Sequence, residues 1–257
     1  MTTMRRRITG FTLLELMIAL GIGTTVTVTG LTLYQQTTQS RNLIQAELAT
    51  QESSYLLHQV LRHYINQAGY RPLGNIPSGS SVLPVKLADD AFAAVSGNWD
   101  KGQFFKLVDN GFAIRFEGAS ASDGSADATF VDCVGSAIAA GTVAEVEFKV
   151  DDGLFLCTTD ETEVQLIASD DDVRIEQFGA SLGVDRNNDL NADVYLSATD
   201  TLLPGDDVVA VRLSFLLASV SEVKPSNGSY KYDGIEYVST DKKLRHESVV
   251  AVQLKNR

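Results

Sequence analysis

Only two cysteines, one tryptophan, three histidines and five prolines occur among 257 residues. Two cysteines cannot frame a disulfide-dense miniprotein, and five prolines exclude a collagen-like or proline-rich chain. Basic residues are the scarcer charge, 21 against 33 acidic, for a net charge of -12. That deficit argues against non-specific nucleic-acid binding, which depends on cations neutralising phosphates. Long apolar runs are also scarce: one exists, at the N-terminal end, so a multi-pass membrane protein is excluded. No GxSxG, HExxH or Walker loop is present, and no paired nucleophile and base, so the chain is read as non-enzymatic. What remains is an ordinary globular composition, 44% apolar and 21% charged, long enough to bury a sizeable core.

The charge is unevenly spread. Residues 1–72 carry six basic and three acidic side chains, whereas 73–257 carry fifteen and thirty, a net -15. Arg5, Arg6 and Arg7 precede 25 consecutive uncharged residues, Leu16 to Ser40. A run of about 20 such residues spans a bilayer as a helix, and arginines before it hold the N-terminus in the cytoplasm. Seven threonines between Thr24 and Thr38 weaken the apolar signal, but their hydroxyls can bond back to the preceding turn. A cleaved secretory signal fits poorly, because no small-x-small site follows soon after Leu33. An ordinary signal anchor leaves Glu15 unexplained, since a carboxylate in hydrocarbon is costly without a partner.

The stretch RRRITG-FTLLELMIAL resembles the class III signal of type IV pilins and type II secretion pseudopilins. The resemblance implies cleavage between Gly10 and Phe11 by the prepilin peptidase, with N-methylation of Phe11. Glu15 becomes the fifth residue of the mature chain, implied to pair with the N-terminal amine of a neighbouring subunit. Desolvating the two charges together costs far less than desolvating either alone.

Beyond Ser40 the pattern turns amphipathic without a break. Leu43, Ala46, Thr50, Ser54, Leu57, Leu61, Tyr64 and Ala68 recur at steps of three or four. The spacing predicts one helix from Phe11 to Ala68, about 87 Å at 1.5 Å per residue, with Gly69 as its cap and Pro72 as a stop. Gly21, Gly23 and Gly30 either admit neighbouring helices closely or merely loosen this one. His58 and His63 do not share a helical face well enough to chelate a metal. The close of the helix, Ala68-Gly69-Tyr70-Arg71, resembles the PilW family of minor pilins, from which Pro72 departs.

From Leu73 the signal changes to strands and turns. Phe104–Phe116, Val146–Cys157 and Tyr230–Tyr237 each place Asn-Gly or Asp-Gly between β-rich runs and predict hairpins. Val208–Leu217 reads as a central strand and Ser248–Leu254 as another, Lys86–Val95 as a short helix, and Ala119–Ala128 as an exposed loop. The economical fold is α+β: a long N-terminal helix laid on an antiparallel sheet, which is also the type IV pilin fold that the resemblance implies. Its parts are a leader (1–10), a membrane and filament-core helix (11–34), the amphipathic continuation (35–72) and a β-rich head (73–257). Cys133 and Cys157 are expected to pair in an oxidising compartment, the alternative being two separate buried thiols. His246 is the head's only histidine, which disfavours a catalytic cysteine.

Asp185, Asn187, Asp189, Asn191 and Asp193 alternate oxygen-bearing side chains at every second position. That spacing suits Ca2+, as in the first half of an EF-hand loop, though Leu190 replaces the turn glycine and Leu196 the bidentate glutamate. The alternative is a solvated turn capped by its own Asx side chains. The loop also resembles the Asp-rich segment that precedes a Tyr-containing strand in PilW-like proteins. So does the C-terminus, with two long strands, the basic cluster Lys242, Lys243 and Arg245, and a closing Leu-Lys-Asn-Arg.

These resemblances imply a minor pilin that primes assembly at or near the pilus tip. Its implied partners are the prepilin peptidase, other minor pilins and the major pilin. It would sit in the inner membrane, N-terminus cytoplasmic, before moving to the pilus with its head periplasmic or extracellular. A minor pseudopilin of type II secretion is the main alternative, and a membrane-anchored binding protein or adhesin the next.

Overall fold

The structure is a computed structural model that describes residues 12–72, 92, 99, 103–160, 162–167, 172–197, 200 and 207–256. The leader, the Gly10–Phe11 junction and the predicted helix 86–95, except Phe92, lie outside the described residues. One helix, α1 (Leu13–Gln67), opens the fold. The described chain divides into two compact units, 12–45 and 46–256.

In the first unit the helix carries its apolar side chains outward, Leu13, Met17, Leu20, Val26 and Leu33 among them. It is long and apolar enough to cross a membrane. All seven threonines from Thr24 to Thr38 donate their hydroxyls to carbonyls three or four residues back. Their polar atoms are thereby satisfied within the helix, which is what lets threonine enter an apolar span.

The second unit packs residues 46–67 of α1 with two antiparallel sheets, where the sequence suggested one. Strands β1 (Phe105–Val108), β2 (Gly111–Glu117), β3 (Val143–Asp151), β4 (Leu154–Thr159) and β5 (Thr162–Ile167) form a five-stranded meander in chain order. Strands β6 (Val173–Asp185), β7 (Val194–Ser197), β8 (Asp207–Glu222) and β11 (Lys243–Gln253) form a four-stranded sheet ordered β11-β8-β6-β7. The remaining pair, β9 (Ser229–Tyr232) and β10 (Ile235–Val238), makes a separate hairpin. Strand β8 is central, as its nearly continuous apolar run requires.

Leu57, Leu61 and Ile65 of the helix enter one core with Phe112, Phe148 and Phe155 of the first sheet and Val211, Leu213 and Phe215 of the second. A relay of rings joins the three layers. Tyr64 contacts Phe148, Phe148 contacts Phe112 and Phe155, and Phe155 meets Phe215 edge-on, with centroids 4.9 to 5.8 Å apart. Offset and edge-to-face contacts of this kind add specific geometry to ordinary apolar burial.

Two of the predicted hairpins turn as expected. Asp152-Gly153 and Asp233-Gly234 both hold positive φ at the two central positions, the type I′ signature. The third differs: Val108 pairs with Gly111, so Asp109-Asn110 form the turn and Gly111 begins β2. Glycine is needed at 111 for another reason, since a Cβ there would lie 2.0 Å from the Phe148 carbonyl oxygen.

Candidate assembly site

Helix α1 starts on Thr12. The Glu15 carboxylate accepts the Thr12 backbone N–H at 2.9 Å and its hydroxyl at 3.0 Å, and the Glu15 N–H donates to Thr12 Oγ1 at 3.2 Å. This is a reciprocal capping box, Thr-x-x-Glu, which satisfies donors the first helical turn leaves without partners. The sequence carried that signal in Thr12-Leu13-Leu14-Glu15. Reading the carboxylate only as a partner for a neighbouring subunit hides this role in its own chain. Gly21, Gly23 and Gly30 leave bare backbone on the helix, where an added Cβ would meet no atom within 4 Å.

The other end of α1 is bound into the head by Ala68, Gly69, Tyr70 and Arg71. Ala68 is fully buried. Gly69 takes φ 76° and donates its N–H to the Arg115 carbonyl in β2 at 2.8 Å, so the cap bonds to the sheet as well as ending the helix. Its Cα also faces the Asn256 carbonyl oxygen, which a Cβ would approach to 2.5 Å. Tyr70 stacks on Phe130 at 4.0 Å, and its carbonyl accepts the Glu117 N–H at 2.9 Å. Arg71 pairs with Glu117 at 3.0 Å, with both side chains largely buried. Helix end and strand β2 are thus stitched residue by residue.

Segment 118–142, between β2 and β3, is ordered by its own turns and pinned from two sides. Tyr64 Oη donates to the Asp132 carbonyl and Gln67 Nε2 to the Thr129 carbonyl, at 2.8 and 2.9 Å. Cys133 is disulfide-bonded to Cys157 of β4, with Cα atoms 5.6 Å apart. The predicted bridge is therefore present, and it joins the segment to β4, next to the edge strand of the first sheet.

The loop from Asp185 to Asp193 is built around Asp185. Its Oδ1 accepts the N–H groups of Asn187 and Asn188, and its Oδ2 that of Leu190, at 2.7 to 3.0 Å. Asp193 accepts the Arg186 N–H, Asp189 that of Asn191, and Asn187 that of Asp189. This is the arrangement of a turn capped by its own Asx side chains. Among the described residues, no three His, Cys, Asp or Glu side chains are grouped to hold a metal ion.

Of the basic cluster near the C-terminus, Arg245 is spent internally. It pairs with Glu176 and Asp241, each at 2.6 Å, and donates to Ser239 Oγ at 3.0 Å. No sequence spacing pointed to this network, because Glu176 lies 69 positions away.

Both loops bear on acid stability. Burial pushes the Asp185 carboxyl up, but the amides of Leu190, Asn188, Asn187 and Asp189 outweigh it and hold the carboxyl below its ordinary value. Hydrogen bonding from Arg245 holds Asp241 well below its own. A carboxyl depressed on folding contributes stability that is full above the unfolded pKa and is lost as pH falls through the folded one. The melting temperature is expected to fall as pH drops from about 4 toward 2. Asp241→Asn should flatten that fall, which a pH series of thermal melts will read directly.

Residues 5–31 match the prokaryotic N-terminal methylation motif. Among solved structures, the chain is similar to a type IV-like pilin from Thermus thermophilus, with 13% sequence identity and a TM-score of 0.47. That match covers 80% of this chain and 95% of the other. No curated protein matches the chain.

Proposed function

We propose that this chain is a type IV pilin-like subunit, and specifically a minor pilin that primes pilus assembly at or near the tip. The observation that carries the reading is the methylation motif at 5–31, which runs into a helix whose only charged residue from Leu13 to Ser40 is Glu15. On this reading the prepilin peptidase cuts between Gly10 and Phe11, Phe11 is N-methylated, and the helix holds the subunit in the inner membrane. Glu15, which caps its own helix through Thr12, exchanges that partner for the new N-terminal amine of a neighbour as the helices pack. The bare backbone at Gly21, Gly23 and Gly30 suits close helix approach. The minor-pilin assignment draws on the PilW-like close of α1 and on the PilW-like C-terminus. Other minor pilins and the major pilin would be its partners.

Deleting the gene separates pilus from pseudopilus. The expected outcome is loss of surface pili, with twitching or DNA uptake abolished and exoprotein secretion intact. Intact pili with failed secretion would assign the chain to a type II pseudopilus instead.

A further inference from the structure

The four-stranded sheet has an outer face that points away from the helix, and it is covered unevenly. Over one end lies the β9–β10 hairpin, whose Tyr232 hydroxyl meets Ser214 Oγ at 3.3 Å. At the other end the register sets Tyr195, Gly183, Ala210 and Gln253 side by side across β7, β6, β8 and β11. A large ring and a long amide stand on either side of Ala210, whose side chain is a single methyl. The result is a groove of about 350 Å3, lined among others by Leu190, Asn191, Tyr195, Ala210, Ala251 and Gln253.

Three features give this groove a chemical character. First, among the described residues no charged side chain lines it, on a head whose net charge is -15. Second, its two large apolar walls are held half-exposed, Leu190 at 43% and Tyr195 at 40%. Leu190 sits at φ 69°, uncommon for a residue with a Cβ, and is clamped there from both sides. Its N–H donates to Asp185 at 2.7 Å and its carbonyl accepts Gln253 Nε2 at 2.8 Å. Tyr195 rests directly on the β6 backbone, because a Cβ on Gly183 would come within 3.0 Å of its ring. Third, the Gln253 amide gives one N–H to the Leu190 carbonyl and the Asn191 amide one to the Asp189 carbonyl. Each NH2 keeps a second N–H, so these amides offer a ligand both a donor and a carbonyl acceptor, a pairing that hydroxyls, able to give and to take, can answer.

We infer that the groove between Leu190, Tyr195 and Gln253 binds one ring of a neutral saccharide. The C–H face of a pyranose would lie on Tyr195, and its hydroxyls would donate to Gln253 and Asn191. A purely apolar side chain would leave those carbonyl oxygens unpaired, at a cost. Acidic sugars are disfavoured by the carboxylates of Asp189 and Asp193 in the adjoining loop. The inference does not depend on the pilin reading.

The test uses the full chain in lipid nanodiscs, which avoids sugar detergents. Methyl pyranosides of glucose, galactose, mannose and N-acetylglucosamine are offered singly, and binding is read by saturation-transfer NMR. At least one is expected to bind with a dissociation constant of about 1 mM, typical of a ligand of some dozen heavy atoms. Tyr195→Ala and Gln253→Ala should each weaken it about tenfold, the size of one aromatic or hydrogen-bonding contact. Ala251→Leu, at an exposed position, should fill the groove and block binding without altering the melt. No transfer to any of the four, equal transfer in all variants, or preference for N-acetylphenylalaninamide would each overturn the inference.

Discussion

Phe148→Ala is expected to lower the stability of the folded head by about 4 kcal/mol, the usual cost of emptying a buried phenylalanine site. Phe148 is fully buried on β3 and touches the rings of Tyr64, Phe112 and Phe155. It thus meets the helix and both neighbouring strands of its own sheet, one of which reaches Phe215 of the second sheet through Phe155. Collapse around the cavity is limited because these neighbours are anchored in the helix and in two other strands of the first sheet. For a chain of this size the loss corresponds to a fall of about 10 °C in melting temperature. Phe148→Leu should cost about 1.5 kcal/mol, since it keeps much of the volume. Val238→Ala, at a position 84% exposed, is the control and should change almost nothing. Equal effects at 148 and 238 would refute the packing described here.

Removing the disulfide is expected to cost about 3 kcal/mol. Cys133 and Cys157 are separated by 24 positions, and releasing a loop of that length restores chain entropy to the unfolded state. The native state should survive in outline, because segment 118–142 keeps its bonds from Tyr64 and Gln67 and the stacking of Phe130 on Tyr70. The double Cys→Ala variant is therefore expected to fold but to melt several degrees lower. Adding reductant to the native protein should have the same effect, and reductant added to the variant none.

Much of this fold was legible because each element obeyed a single local rule. Helix α1 could be traced to within two residues at its start and one at its end, because the 3.6-residue pattern runs from the apolar segment to Gly69 without a proline. Hairpins β3–β4 and β9–β10 announced themselves through Asp-Gly. Strand β5 did not, since its turn uses Asp160 at φ 46° with no glycine after it. Strand β6 was hidden for a different reason. Its burial does not alternate, and Gly179 and Gly183, both places of close approach, interrupt its apolar residues. The division into two sheets was not foreseeable from periodicity, which reports faces and not partners.

At the candidate site the same limits applied. Glu15 was found because a lone carboxylate in an apolar run is costly, but its partner Thr12 required reading the capping box beside it. In the Asp185–Asp193 loop, every second residue offering oxygen fits both a cation and a self-capped turn. Spacing alone does not separate the two. Ala68 to Arg71 were recognised as a pattern before each residue had a role. The structure supplies those roles in Phe130, Arg115 and Glu117, all contributed from elsewhere in the chain.

The central claim is that this is a pilin-like subunit matured at its N-terminus. It is tested most directly by mass spectrometry of the N-terminal peptide from membranes with and without an active prepilin peptidase. The account predicts a mature chain beginning at Phe11 with one methyl group on its amine, and an uncleaved chain when the peptidase is absent or Gly10 is replaced by a bulky residue. A chain that still begins at Met1 with the peptidase active, or one cut elsewhere, would contradict it.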